Sequence, residues 1–145
     1  MSKLATNQKA VSRLTADEIV MVQRSWNMIK DVDELIVDFY NHLFYTHPEL
    51  RPFFRENLRP QGYRFYWIIE QNVRSLPYKN IESVAEEIDR IHSSYYFENR
   101  HFVYLENAFL YALKNSLGPT WNNLMANAWM KLYRTAIRRA VKSPF

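Results

Sequence analysis

The stretch EEIDRIHSSYYFENRHF, residues 86–102, holds the side chain of this 145-residue sequence best placed to do chemistry. His92 falls four residues after Ile88 and three before Tyr95, so a helix here sets an imidazole on the apolar stripe of Ile81, Ala85, Ile88 and Tyr95. An imidazole so placed has two uses. It can ligate a metal through one ring nitrogen, or it can sit in the core as a hydrogen-bonded polar residue. Spacing alone leaves both open.

The rest of the composition removes other chemistries. The chain has no cysteine, which excludes disulfides, thiolate metal sites and cysteine nucleophiles and fits a reducing cytoplasm. Its two glycines, Gly62 and Gly118, cannot build a glycine-rich phosphate loop or a dinucleotide fingerprint. The net charge of +4 raises the question of nucleic acid. The densest basic segment is KLYRTAIRRAVK, residues 131–142, where cations would offset the negative end of a last helix. No recognition helix, zinc spacing or RNA-binding aromatic motif accompanies it, so no nucleic-acid partner is expected. The opening MSKLATNQKA lacks the apolar run of a secretory signal, and no later stretch reaches the roughly 20 apolar residues that span a bilayer. A soluble, cytoplasmic protein without a membrane partner is the expectation.

The elements that must position His92 are helices. Hydrophobic residues make up 48% of the chain and aromatic residues 16%, enough for one well-filled core. Periodicity of 3.6 residues runs between the prolines, which predicts an all-α fold. Thr15 with Glu18 three residues on reads as a capping box, followed by the stripe Ile19, Val22, Trp26 and Ile29. A second helix is expected over about 33–45 with Ile36, Phe39, Tyr40, Leu43 and Phe44 inward. THPELRPFF reads as a short tight helix capped by Thr46 or His47, with Pro48 in its first turn and Pro52 ending it. From Arg59 and Pro60 the stripe is Phe65, Ile69, Val73 and Leu76, closed by Pro77. Asn80 caps the segment that carries His92. The stripe Phe102, Leu105, Phe109, Ala112 and Leu113 stops at Gly118–Pro119, and a last helix buries Met125, Ala128, Trp129, Leu132 and Ala136.

The order and separation of these segments resemble the globin family, specifically bacterial single-domain haemoglobins and the haem domain of flavohaemoglobins. FYNHLFYTHPELRPFF, IHSSYYF with HFVYLENAFLYALKNSLG, and AWMKLYRTAIRRA carry the resemblance, which spans residues 15–141 as one globin domain after an extension of 1–14 and before a tail of 142–145. It implies a fold of six to eight helices around haem b. His92 takes the place of the proximal histidine that ligates the haem iron. Phe54 matches the aromatic that packs flat on the haem, with Phe53 as the one-residue shift. Tyr40 matches the tyrosine whose hydroxyl donates to bound dioxygen, which carries partial negative charge. The second distal residue is Gln61 if the count runs back from His92, with Phe65 one turn on, and Arg64 if it runs forward from Phe54. Tyr95, Phe97, Phe102 and His101 fall where the haem's proximal side and edge would be, and Arg59 and Arg64 are further partners for its propionates. His42 and His47 read as facing solvent.

The resemblance implies reversible binding of dioxygen, or of nitric oxide or another diatomic ligand, at His92-held iron. A haem-free sensor or interaction domain is a second reading, because the aromatic bulk of GYRFYW could fill the pocket. A third is a nitric oxide dioxygenase or peroxidase-like enzyme. The tyrosine and glutamate that strengthen the proximal histidine in flavohaemoglobins have no match here, since Phe102 stands at the tyrosine position and VKSPF at the end offers no carboxylate. The resemblance covers a haem domain alone, so turnover is expected to need a separate reductase.

Overall fold

The computed structural model describes residues 14–76 and 98–142, apart from the side chains of 99 and 136–142. The described residues form five α-helices and two 3-10 turns, with no strand among them. The α-helices are α1 (Ala16–Asn27), α2 (Val32–Thr46), α3 (Arg59–Ser75), α4 (Asn99–Leu117) and α5 (Asn123–Lys142). The 3-10 turns run Pro48–Phe53 and Gly118–Thr120. The all-α expectation holds.

Each helix begins where a side chain can take up free backbone N–H groups. At α1 the Thr15 hydroxyl accepts from Glu18 N–H at 3.1 Å while the Glu18 carboxylate accepts from Thr15 N–H at 2.7 Å, the reciprocal box foreseen from sequence. These contacts, with the Lys131 ammonium at 3.0 Å, hold the Glu18 carboxyl below its usual range. Asp31 caps α2 through Glu34 N–H at 3.0 Å, two residues ahead of the predicted start. At α4 the His101 ring accepts from Glu98 N–H at 3.0 Å, and the Glu98 side chain accepts in return from His101 N–H. Gly118, at φ 55°, stops α4 in a conformation that costs a side-chain-bearing residue energy. Pro52 lies inside its 3-10 turn, which ends at Phe53, and no side chain caps that turn.

The core is assembled largely from the predicted stripes, with Leu35 added and Ile29, Phe44 and Met125 only half-buried. Val22, Trp26, Leu35, Ile36, Phe39, Leu43, Ile69, Val73, Leu105, Phe109, Leu113, Trp129 and Leu132 are buried, each large side chain contributing about 1.5–3 kcal/mol of transfer free energy. Helices α2 and α4 pack most extensively, α1 lies on α3 and α5, and α3 crosses α2. Polar bonds pin these crossings. Trp129 donates to Ser25 Oγ at 2.7 Å inside the core, and Gln23 donates to the carbonyls of Val73 and Leu76 at 3.1 and 3.2 Å, which satisfies acceptors at the end of α3.

Of the basic segment of α5, the side chains of Lys131 and Arg134 lie within the described residues, and those of 136–142 lie outside them. Lys131 reaches Glu18 of α1, and Arg134 grips Glu106 of α4 through two nitrogens at 3.0–3.3 Å. These cations sit in mid-helix and neutralise carboxylates of neighbouring helices; the Glu106 side chain is only 7% exposed, and a buried carboxylate needs such a partner.

Candidate distal pocket

The crossing of α2 and α3 fixes the candidate site. A Cβ built on Gly62 would stand 2.4 Å from Ile36 Cγ2 and 3.2 Å from Tyr40 Cε2, so only glycine lets the two helices meet this closely. The signal for this was present in the sequence as an isolated glycine inside a helical pattern.

Against this crossing Tyr40 is buried, 6% exposed, among aromatic rings. Its ring lies parallel to Phe44 at 5.8 Å and meets the edges of Phe54 at 5.7 Å and Phe39 at 5.2 Å. Phe65, from the turn of α3 after Gly62, stacks on Phe39 at 5.4 Å. The phenol of Tyr40 therefore enters low-dielectric surroundings, where a hydrogen bond to a charged or polarised acceptor is stronger than in water. An apolar cavity of about 20 Å³ lies between α1, α2 and α3, lined by Ile36, Phe39, Gly62 and Phe65 and also by Trp26 and Tyr66, with Tyr40 not among its walls; it has room for a single water-sized molecule.

Gln61 stands next to Gly62 and is half-buried, its carboxamide oxygen accepting from Arg55 N–H at 3.3 Å. Arg64 is exposed. Arg59 is exposed as well and pairs with Asp33 at 3.5 Å. The Tyr63 hydroxyl also donates to Asp33, and these partners hold the Asp33 carboxyl below its usual range.

A second aromatic group forms where the 3-10 turn meets α4. Phe53 meets the His101 ring edge-on at 5.1 Å, and His47 stacks on Tyr104 at 3.6 Å. His101 is 2% exposed, and burial, followed by the nearby Arg100 guanidinium, pushes its pKa down. With Nδ1 accepting from Glu98, the neutral ring carries its proton on Nε2. Phe102 is buried beside it in sequence. His42 and His47 are half-buried rather than solvent-facing. His42 stacks on Tyr111 at 4.1 Å, because an imidazole can cover a tyrosine face as any flat ring does.

Tyr40, Phe54 and Phe65 thus share one aromatic wall, and Phe53 and His101 share another. His92, Tyr95 and Phe97 lie outside the described residues. Among the described residues no three histidine, aspartate or glutamate side chains converge as a metal-ligand set, and no helix is long and apolar enough to cross a membrane. No curated protein matches the chain. The family model described as Globin matches residues 37–139, from the middle of α2 to the last turn of α5, and the chain belongs to the globin family.

Proposed function

We propose that this globin binds haem b between α3 and the segment bearing His92, and that it reversibly binds dioxygen at the iron. The observation that carries this reading is Tyr40, a phenol buried in an otherwise apolar wall at a helix crossing that only glycine permits. Phe53, Phe54 and Phe65 are each half-buried, so flat apolar surface is available to a planar macrocycle, which fits the group. His92 would hold the iron, Phe54 and Phe65 would pack on the ring, and Phe53, Phe102 and His101 would border its edge.

Haem, when bound, would supply a ferrous centre able to hold and polarise a diatomic ligand. The chain's own residues do the rest. Tyr40 would donate a hydrogen bond toward the ligand, Gln61 would be the second polar residue from α3, and the phenylalanines would exclude water. The haem-free alternative leaned on the bulk of GYRFYW filling the pocket. In the structure Tyr63 and Trp67 are exposed, Tyr63 reaching Asp33 at the start of α2, and Tyr66 stacks on Trp26 of α1, so of the four only Phe65 stacks on a ring of α2.

The test is an absorption spectrum of the protein with added haem, then with dithionite and carbon monoxide. A Soret band that shifts with carbon monoxide supports the reading; failure to take up stoichiometric haem overturns it.

A further inference from the structure

The loop of residues 54–58, between the first 3-10 turn and α3, closes around one side chain. The half-buried Arg51 donates from Nη1 to the carbonyls of Phe54 at 3.3 Å and Arg55 at 3.0 Å, and from Nη2 to the carbonyl of Glu56 at 3.0 Å. Successive carbonyls of an extended chain point to opposite sides, so three in a row meet one group only where the chain curls round it. A guanidinium suits that task, with its donors fixed in one planar fork. The cation also lies over the Phe44 ring, 5.4 Å from its centre, and Phe44 stacks on Tyr40 and meets the Phe54 ring edge-on at 5.3 Å. Among the described residues no carboxylate pairs with Arg51. Its donors are given to the loop.

One of these bonds reaches beyond the loop. The Phe54 carbonyl and the Arg55 N–H belong to a single planar peptide unit, in which the two groups point in opposite directions. Arg51 holds the carbonyl end, and the Gln61 carboxamide oxygen accepts from the N–H end at 3.3 Å. The unit cannot turn without loosening both bonds. Arg51 therefore bears on the side chain of Gln61 through a rigid plate of backbone, and on Phe54 through the same plate and through Phe44.

We infer that Arg51 is the positioning residue of the candidate pocket: by gripping the Phe54–Arg55 peptide it seats the Phe54 ring against Tyr40 and keeps the Gln61 carboxamide in one orientation. Its effect on a bound ligand rests on the haem reading above, whereas its hold on Gln61 rests on the loop alone. Pre-set side chains lose no time and no order when a ligand arrives, which is what a binding site gains from support by residues outside it. Lysine at position 51 would keep the charge but not the grip, because one compact ammonium cannot span three carbonyls.

The test takes two readouts on the full chain: exchange of the Arg55 amide hydrogen, followed by NMR, and dioxygen dissociation from the haem-loaded ferrous protein, followed by stopped flow. Arg51→Lys and Gln61→Ala should each speed Arg55 exchange by about fivefold, the worth of one ordinary hydrogen bond, while amides in the middle of α5 keep their protection. Arg51→Lys should also speed dissociation by about fivefold, but by less than about twofold when Gln61 is already alanine, since it acts through that side chain. An Arg55 amide that exchanges at the original rate in either variant overturns the inference. So does an equal effect of Arg51→Lys on dissociation with and without Gln61, which would mark a general loosening of the fold; in both cases a normal Soret band leaves the haem reading standing. Absence of a Soret band in the unaltered protein overturns the haem reading, and Arg55 exchange then decides by itself whether Arg51 sets Gln61.

Discussion

The two faces of α3 are built on opposite plans. Toward α2, the face with Gly62 and Phe65 gains its fit from what is missing, a side chain at Gly62, and from ring-on-ring contact around Tyr40. Toward α1, the face with Tyr66, Glu70 and Val73 is tied by directed bonds: Trp26 to Glu70, and Gln23 to the carbonyls of Val73 and Leu76. The first face is set by shape at its centre, and its directed bonds, from Tyr63 and Arg59 to Asp33, lie at the exposed rim. The second is set by hydrogen bonds and leaves little for a ligand to contact.

If that contrast is right, the first face should fail through volume and the second through polarity. The largest effect is expected at Gly62→Ala. Its methyl meets the branched Cγ2 of Ile36, which cannot swing away, so overpacking should cost about 1–3 kcal/mol net of the gain alanine brings to a helix. The cost should shrink in an Ile36→Ala background. Urea unfolding of the four variants measures this, and a neutral Gly62→Ala would show slack in the crossing.

On the other face, Glu70→Leu should leave the buried Trp26 N–H unpaired at about 1–3 kcal/mol, whereas Glu70→Gln keeps an acceptor and should cost less. Equal losses would mean that volume governs this face too. Gln23→Ala should cost about 0.5–1.5 kcal/mol and speed amide exchange in the last turn of α3.

Two smaller effects sharpen the difference. Tyr40→Phe keeps the ring that packs on Phe44 and Phe54, yet dioxygen should dissociate faster, by about tenfold or more for a bond worth about 1.5–3 kcal/mol. An unchanged off-rate measured by stopped flow removes Tyr40 from ligand contact. At the rim, the Asp33 carboxyl is held below its usual range by Tyr63 and then Arg59, so its unfolded form binds the proton more readily. Its contribution is present above about pH 4 and fades as the pH falls further. Asp33→Asn should flatten that part of the acid-unfolding curve slightly, since the group is exposed.

Much of the frame was readable from short-range pattern. The Thr15–Glu18 box, the stripes of α2 and α4 and the stop at Gly118 rest on neighbours within a few residues, and they form where expected. What escaped depends on partners distant in sequence. Ser25 meets Trp129 across 104 positions. Glu106 reads as a surface charge until Arg134 is known to cover it, and His42 and His47 read as solvated until Tyr111 and Tyr104 are beside them. On the candidate site, the family pattern selected Tyr40, Phe54, Phe65 and Gln61, and the first three prove to share a wall. The reason α3 can lie against that wall is a glycine whose meaning is visible only when the opposing Ile36 is in view.

A contact in which the backbone of one helix rests directly on a branched side chain of the other also acts as a pivot. At Gly62 nothing can compress, so α3 can tilt about that point but neither advance nor withdraw there. Gly62 lies three residues from the start of α3 and thirteen from its end. At about 1.5 Å per residue the far end swings through roughly four times the arc of the near one. Breathing of this helix should therefore be smallest beside Tyr40 and largest near Val73 and Leu76, where Gln23 acts as the tether that limits it.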